Sequence, residues 1–582
     1  MSARTERRED TTRPTRPLAQ RPAHTRAAWR WRYPAALVAI LTLGLAWRLW
    51  NLARDVPTLN SDEAIVGLMA LHMLHGEWTT FYWAQDYMGS LEAVLAAPLI
   101  RLLGPTSLAL RLPPLLTGIG FIALVYRLGA LLYSRAVGLV SALLLALATP
   151  FFMTMSVRAF GGYTETLALG SASLLLALRG ASPTRRRWLW AGLAGGVAGL
   201  ALWTDPLVAP YLLVAALIYT MRRRRDLLRW PNGAALAAGL LAGASPAIVY
   251  NIAKPAATIA QMIGVSALGG GPRLTPALIV QRLVSTLTVS LPIIAGAPFA
   301  GVQEMGLTAL DFQRLAAGRL VSYAISLALL ALAALALAST AARLIRRWRA
   351  LFGWNADKQS ASAMRLQGQL ALLVLGACYL AGFLFTRDPA VYAAPRYLLP
   401  LYTLTPLVIG EAWLWLRRSR VARRLARTPR ARLSVAALGL AVLLAWNVAG
   451  VVGVTPAMTA GIEHGQRVPG QNAALLSTLT ARHVHTVITS SYWIGYTLCY
   501  ESGEAVIPVM SGPDGRMGYN RYPSYVARGL RDPAPAYIEL AATPQAALLT
   551  ERINTGAFPG YALLMVGNEV VALPPAPSSP NL

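Results

Sequence analysis

The chain has 582 residues, of which 55% are hydrophobic and only 13% charged, and its formal net charge is +28. A soluble domain carries roughly 25% charged residues, so this chain lacks the side chains to coat a water-facing exterior. The basic excess does not point to nucleic acid. Its arginines stand in blocks between apolar stretches, at Arg4 to Arg32, Arg185–Arg187, Arg222–Arg225, Arg343–Arg349 and Arg417–Arg432, which is the pattern of cytoplasmic loops.

In chain order, residues 1–32 predict a basic, disordered cytoplasmic tail with no cleaved-signal pattern. Apolar stretches follow at 33–52, 111–131, 136–152, 164–180, 188–204, 206–221, 233–252, 320–341, 368–386, 398–416 and 433–454. Each is long enough to cross roughly 30 Å of hydrocarbon as a helix. The fold class expected is a polytopic α-helical membrane protein of about eleven transmembrane helices, over 33–455. With the N-terminus cytoplasmic, even-numbered spans should end in basic loops. They do, at Arg127 and Arg135, Arg185–Arg187, Arg222–Arg225, Arg343–Arg349 and Arg417–Arg432.

Two large extracytoplasmic loops are therefore expected, at 51–110 and 253–319. The apolar periods of Ala64–Leu74 and Ile279–Val289 suit helices lying in the interface plane, and Gly269-Gly270-Gly271-Pro272 breaks the second loop. Residues 456–575 predict a small extracytoplasmic α/β domain, with a helix over Gln471–Ala481 and buried strands at His485–Ser491 and Ala505–Met510. Cys378, in an apolar stretch, and Cys499, in the polar tail, form no disulfide framework.

Acidic residues are scarce, and the first loop holds Asp62, Glu63, Glu77, Asp86 and Glu92. Glu165 stands where the second extracytoplasmic turn enters the fourth span. Charges at a membrane boundary are costly unless solvated or used. Asn60-Ser61-Asp62-Glu63 also reads as a capping box, Asn60 at the N-cap and Glu63 at N3, which accounts for Glu63 better than for Asp62. Asp205-Pro206 reads as a helix start. His72 and His75 suit an interfacial position better than zinc, because their helix offers no third ligand. Tyr492-Trp493-Ile494-Gly495-Tyr496 fits either packing or an acceptor-binding face.

An acidic pair opening a helix directly after the first span resembles the Asp-Glu signature of the GT-C glycosyltransferases. The similarity is to the family-39-like branch that includes protein O-mannosyltransferases and aminoarabinose transferases. Further resemblances follow in order: Tyr87-Met-Gly-Ser-Leu-Glu92, Pro98 through Arg111, Ser156-Val-Arg158-Ala-Phe-Gly-Gly-Tyr163-Thr-Glu165, Pro246 through Asn251, and Pro395-Arg396-Tyr397. The chain departs from the family at Gly89-Ser90-Leu91-Glu92, where many members carry a Lys/Pro-Pro element. That element's phosphate contacts are therefore not carried over.

The resemblance implies sugar transfer from a polyprenyl-phosphate donor to a hydroxyl of a lipid, glycan or protein, with anomeric inversion. It makes Asp62, with Glu63, the catalytic candidate, because a carboxylate in reach of the hydroxyl can take its proton. The leaving lipid phosphate needs positive charge nearby, for which Arg158 and Arg396 are candidates beside Tyr163. Glu92 and Glu165 are candidates to orient substrate or to hold Mg²⁺ or Mn²⁺, which prefer oxygen ligands. The expected location is the inner or plasma membrane. The alternative is a multi-pass transporter or flippase, against which stand the lack of an internal repeat and the carboxylates' position at span ends.

Overall fold

The computed structural model describes residues 23–179, 186–227, 229–265, 274–297, 320–346, 361–385, 395–418, 428–456 and 471–575, and is mostly helical. The basic tail up to residue 22 and the Gly269–Pro272 break lie outside these residues. Helix α1 (Ala23–Ala53) leads to α2 (Ser61–Leu74), an antiparallel hairpin of β1 (Phe81–Tyr82) and β2 (Gln85–Gly89), and α3 (Leu91–Leu103). Next come α4 (Ser107–Leu132), α5 (Arg135–Ala146), α6 (Pro150–Met155), α7 (Tyr163–Arg179), α8 (Arg187–Thr204) and α9 (Ala209–Leu227). Helices α10 (Trp230–Gly243), α11 (Ser245–Ala253), α12 (Ala257–Val265), α13 (Pro276–Ser285) and α14 (Leu291–Ile294) follow. Helices α15 (Leu320–Arg346), α16 (Ala361–Phe385), a 3-10 stretch at Pro395–Thr403, α17 (Thr405–Arg418) and α18 (Pro429–Val452) complete the bundle.

By length and composition, 5 of the described helices can cross a membrane, or up to 7 if each bent pair is one span. The bends are 64° between α10 and α11 and 47° between the 3-10 stretch and α17. Each falls where a proline, Pro246 or Pro406, sits one residue into the second helix and removes a backbone donor from the ladder. One sequence expectation differs here. The stretch 136–152 is divided, because α5 ends at Ala146 and Pro150 opens α6. The stretch Ile279–Val289, expected in the interface plane, lies within the helix Pro276–Ile294, whose 19 residues are by length and composition also enough to cross.

Helices α8 and α10 show how closely glycine lets two backbones approach. A Cβ added to Gly195 would stand 2.1 Å from the Leu236 carbonyl oxygen, and one on Gly239 2.1 Å from that of Gly192. Gly199 and Gly243 are equally tight against Leu240 and Gly196. The pairs Gly192/Gly196, Gly195/Gly199 and Gly239/Gly243 each follow the small-xxx-small spacing by which membrane helices pack without a hydrophobic drive.

The C-terminal residues form α19 (Gln471–Ala481), β3 (Thr486–Thr489), α20 (Tyr492–Glu501), β4 (Ile507–Met510), α21 (Pro523–Gly529), β5 (Ala536–Leu540), α22 (Pro544–Asn554), β6 (Ala562–Val566) and β7 (Glu569–Leu573). The sheet order is β4-β3-β5-β7-β6, with β3 parallel to β4 and β5 and the other pairs antiparallel. This sheet has an apolar core of its own around Leu475, Val487, Ile538 and Val571. A second core joins it to the first loop, where Ala64, Leu68 and Met69 of α2 meet Tyr496, Cys499 and Tyr500 of α20. The two helices touch at Gly67, where a Cβ would stand 2.3 Å from the Tyr500 ring.

Candidate active site

Asn60 is in extended conformation and its side chain accepts the Glu63 amide at 3.0 Å, which starts α2. Consecutive residues on a helix point about 100° apart, so Asp62 and Glu63 cannot share an environment. Glu63 turns inward and is fully buried. Its side chain does not close the capping box. Instead Arg111 donates to both carboxylate oxygens at 2.8 Å, Arg158 donates to Oε2 at 3.1 Å, and the Ala159 amide to Oε1 at 3.3 Å. Burial opposes its charge, but the two guanidiniums outweigh burial and hold the carboxyl below the usual range. Arg158, expected near a phosphate, is itself 3% exposed and lies against Glu63 and the Phe160 ring.

The stretch from Arg158 to Gly162 passes on to a second buried carboxylate. Glu92, near the start of α3, accepts the amides of Gly161 at 2.5 Å and Gly162 at 3.0 Å on Oε2. Both glycines have positive φ, 82° and 108°, which only glycine adopts readily and which turns successive amides to one oxygen. Glu92 Oε1 accepts no hydrogen bond among the described residues, and neither do the oxygens of buried Glu165. Thr117, near Glu165, donates to the Pro113 carbonyl at 2.7 Å. Burial, and then the charge of Glu165, push the Glu92 carboxyl well above its usual range against the pull of the two amides.

The structure thus brings Glu92 and Glu165 within electrostatic reach of one another. Their unclaimed oxygens are the donor set a hard cation takes, and Mg²⁺ commonly uses one or two carboxylates with waters and phosphate oxygens for the rest. Among the described residues no group of three or more His, Cys, Asp or Glu side chains is arranged for a metal.

Asp62 turns the other way, toward the C-terminal sheet, and its side chain is 20% exposed. Tyr492 donates its phenol to Asp62 Oδ1 at 2.7 Å, and Arg521 approaches the same oxygen at 3.4 Å. Ser61 Oγ donates to the Tyr492 carbonyl at 2.8 Å, and the Tyr82 phenol to the Asp62 carbonyl at 2.8 Å. Tyr82 also lies within electrostatic reach of both Asp62 and Glu92. Sequence reasoning gave no role to Arg111, Tyr82 or Arg521. The cluster Tyr519-Asn520-Arg521-Tyr522 was the one local hint for the last.

Arg396 and Tyr163 form a neighbouring group. The Arg396 guanidinium lies 5.8 Å from the Tyr163 ring centre and 6.0 Å from that of Phe160, the ring that Arg158 also faces. Asp205, which caps the turn after α8 by accepting the Leu207 amide at 2.8 Å, is within reach of its charge. Farther out, His72 joins α2 to the sheet. Its Nδ1 meets Glu77 at 2.7 Å and its Nε2 meets Glu504 at 2.8 Å, while Tyr525 donates to Glu504 at 2.5 Å.

Residues 91–250 match the family described as dolichyl-phosphate-mannose-protein mannosyltransferase. The fold is similar to that of ArnT from Cupriavidus metallidurans bound to undecaprenyl phosphate, with a TM-score of 0.56 at 14% identity, over 94% of this chain and 98% of that one. The apo form of ArnT gives 0.53 at 15% identity, over the same shares, 94% and 98%. The archaeal oligosaccharyltransferase AglB from Archaeoglobus fulgidus, in complex with an inhibitory peptide and a dolichol-phosphate, gives 0.47 at 13% identity, over 95% and 75%. No curated protein sequence matches significantly. The chain is thus similar in fold to ArnT over nearly its whole length, and over residues 91–250 similar in sequence to the dolichyl-phosphate-mannose-protein mannosyltransferase family.

Proposed function

We propose that the chain transfers a sugar from a polyprenyl-phosphate donor to a hydroxyl acceptor at the extracytoplasmic face, with Asp62 as general base. The observation that carries this reading is the contrast between neighbouring carboxylates. Glu63 is enclosed and neutralised by Arg111 and Arg158, whereas Asp62 is part-exposed at a seam between the first loop and the C-terminal sheet. A base must reach the acceptor, and of this pair Asp62 is the one that can.

In the reaction Asp62 takes the hydroxyl proton as the acceptor oxygen bonds to the anomeric carbon. The bond from that carbon to the phosphate oxygen breaks, and the lipid phosphate departs as a stable anion. A single displacement of this kind inverts the anomeric centre. Arg396, partly exposed and set among aromatic faces, is the guanidinium for the phosphate, with Tyr163 beside it. Arg158 and Glu63 shape the site from within. Glu92 and Glu165 are the residues that would hold Mg²⁺ or Mn²⁺, which would add positive charge near the phosphate.

The sidedness belongs to the same proposal. Eleven crossings put residues 1–32 in the cytoplasm and 456–575 outside as an α/β domain. Counting Pro276–Ile294 as a further crossing would place Arg343–Arg349 and Arg417–Arg432 outside, against the positive-inside rule, so it is assigned to the loop.

The test is transfer in membranes supplied with radiolabelled undecaprenyl-phosphate mannose, glucose and arabinose. Asp62→Asn should express and fold as wild type but lose transfer by about 10²–10⁴-fold. A near-normal rate in that variant overturns the assignment.

A further inference from the structure

We infer that Arg521, contributed by the C-terminal sheet, is a positioning residue for Asp62, so that the active site is assembled from two distant parts of the chain. The inference rests on the reading of Asp62 as base. Arg521 follows β4, at the carboxyl ends of the parallel strands, the edge where open α/β sheets carry their ligand sites. That edge faces α2 here, since Tyr492, just after β3, also reaches Asp62.

The guanidinium is tightly confined. Its carbon lies 5.1 Å from the Tyr82 ring centre, 5.4 Å from Tyr492 and 4.6 Å from Tyr519. It donates to the Tyr492 phenol at 3.1 Å, the Trp83 carbonyl at 3.3 Å and the Tyr519 phenol at 3.1 Å. The aromatic faces and neutral oxygens fix where the cation sits, and the carboxylate it faces is Asp62.

The form of that contact separates positioning from tethering. Where this fold uses arginine to tie structure together, at Glu63, Arg111 makes a two-pronged contact at 2.8 Å. Arg521 instead makes one long contact, 3.4 Å, to an oxygen already held by Tyr492 at 2.7 Å. Two donors on Oδ1 fix the rotation of the carboxylate and leave proton acceptance to Oδ2. A base displaced by an ångström loses on the order of 10²-fold in rate.

The experiment uses the full-length protein in detergent with the undecaprenyl-phosphate sugar that wild type consumes. Arg521→Ala should lower kcat by about 100-fold and leave undecaprenyl phosphate binding unchanged. Added guanidinium should restore part of the rate, and urea, its neutral counterpart, should not. Arg516→Gln, an exposed change in the same region, serves as the control. A wild-type kcat in Arg521→Ala overturns the inference, as does a loss that guanidinium fails to relieve or that urea relieves equally. Asp62→Asn keeps the two readings apart. If it transfers normally, the assignment of Asp62 falls; if it is inactive while Arg521→Ala is normal, the inference about Arg521 falls alone.

Discussion

The stretch Arg158–Gly162 hangs between two buried carboxylates that solve the problem of burial in opposite ways. Glu63 keeps its charge because Arg111 and Arg158 surround it, with Asp55 also within reach of both guanidiniums. Glu92 has two amide donors and another carboxylate, Glu165, in reach. One nest is a balanced set of charges and the other favours protons or a cation. Identical chemistry in the sequence, a Glu near the start of a helix, therefore says little until the neighbours are known.

The largest effect should come from breaking the charged nest. Glu63→Gln leaves two buried guanidiniums short of a counter-charge, and losing one partner of a buried pair costs about 3–5 kcal/mol. Detergent-solubilised protein should melt well below wild type or fail to accumulate, and a melting temperature near wild type would mean that water reaches Arg111 and Arg158. Next in size is the hinge between the nests. Gly161→Ala places a Cβ at φ 82°, which costs about 1–2 kcal/mol for the left-handed conformation. The added atom would stand 2.7 Å from the far end of the Met88 side chain, which can shift, and in ordinary contact with the Tyr82 ring at 3.4 Å. A melting temperature unchanged by this variant would show that the loop can turn its amides to Glu92 by another route.

Local chemistry made parts of this arrangement legible in the sequence. The Asn60 cap, the glycine pair before Tyr163 and the prolines at the helix bends act within a few residues. The Gln471–Ala481 helix and the strands at Thr486–Thr489 and Ile507–Met510 fall where hydrophobic periodicity places them. The sequence reads Glu63 as the N3 residue of a capping box, a local role, whereas its side chain goes to partners 48 and 95 residues away. Arg521 meets Asp62 across 459 residues, and no spacing rule reaches that far. Pro276–Ile294 shows a different limit. Length and hydropathy are the same for a helix that crosses a bilayer and one that lies on it, and only its neighbours' arginines separate the two.

A third carboxylate setting, at the wet edge of the seam, should give a smaller effect. At His72 burial opposes the charge, but the bonds from Glu504 and Glu77 outweigh it and raise the imidazole pKa. At Glu504 burial is likewise outweighed, by His72 and Tyr525, and its pKa is lowered. The His72 contribution is complete below its ordinary value of 6.5 and is lost as pH rises through the raised value. That of Glu504 is present above 4.5 and is lost as pH falls through the lowered value. The clamp between α2 and the sheet is therefore strongest between those two pH values. Glu504→Gln should lower stability by about 1 kcal/mol there, after allowing for solvent screening, and by less outside that window. Melting curves across pH check this, and a deficit that ignores pH would show that His72 does not charge.

The smallest effect, and the sharpest test of the comparison, is Glu92→Gln. Because the Glu92 carboxyl is pushed up, wild-type stability is complete below the ordinary value of 4.5 and falls as pH rises toward the shifted value. Glutamine is free of that loss while keeping an oxygen for the Gly161 and Gly162 amides. At pH 4 the variant should match wild type to within about 1 kcal/mol, and at neutral pH it should gain on wild type. Glu63 has the opposite sign: its lowered pKa means that the deficit of Glu63→Gln shrinks as pH falls through the lowered value. Two glutamates joined by one five-residue loop should thus give stability differences that slope in opposite directions with pH. Parallel slopes would show that both nests are charged alike. Manganese supplies the remaining control. A cation held between Glu92 and Glu165 favours their ionised forms, so adding Mn²⁺ should stabilise wild type more than Glu92→Gln and reverse the slope. An unmoved slope in Mn²⁺ would leave protons as what holds that pair together and remove the metal from the proposal.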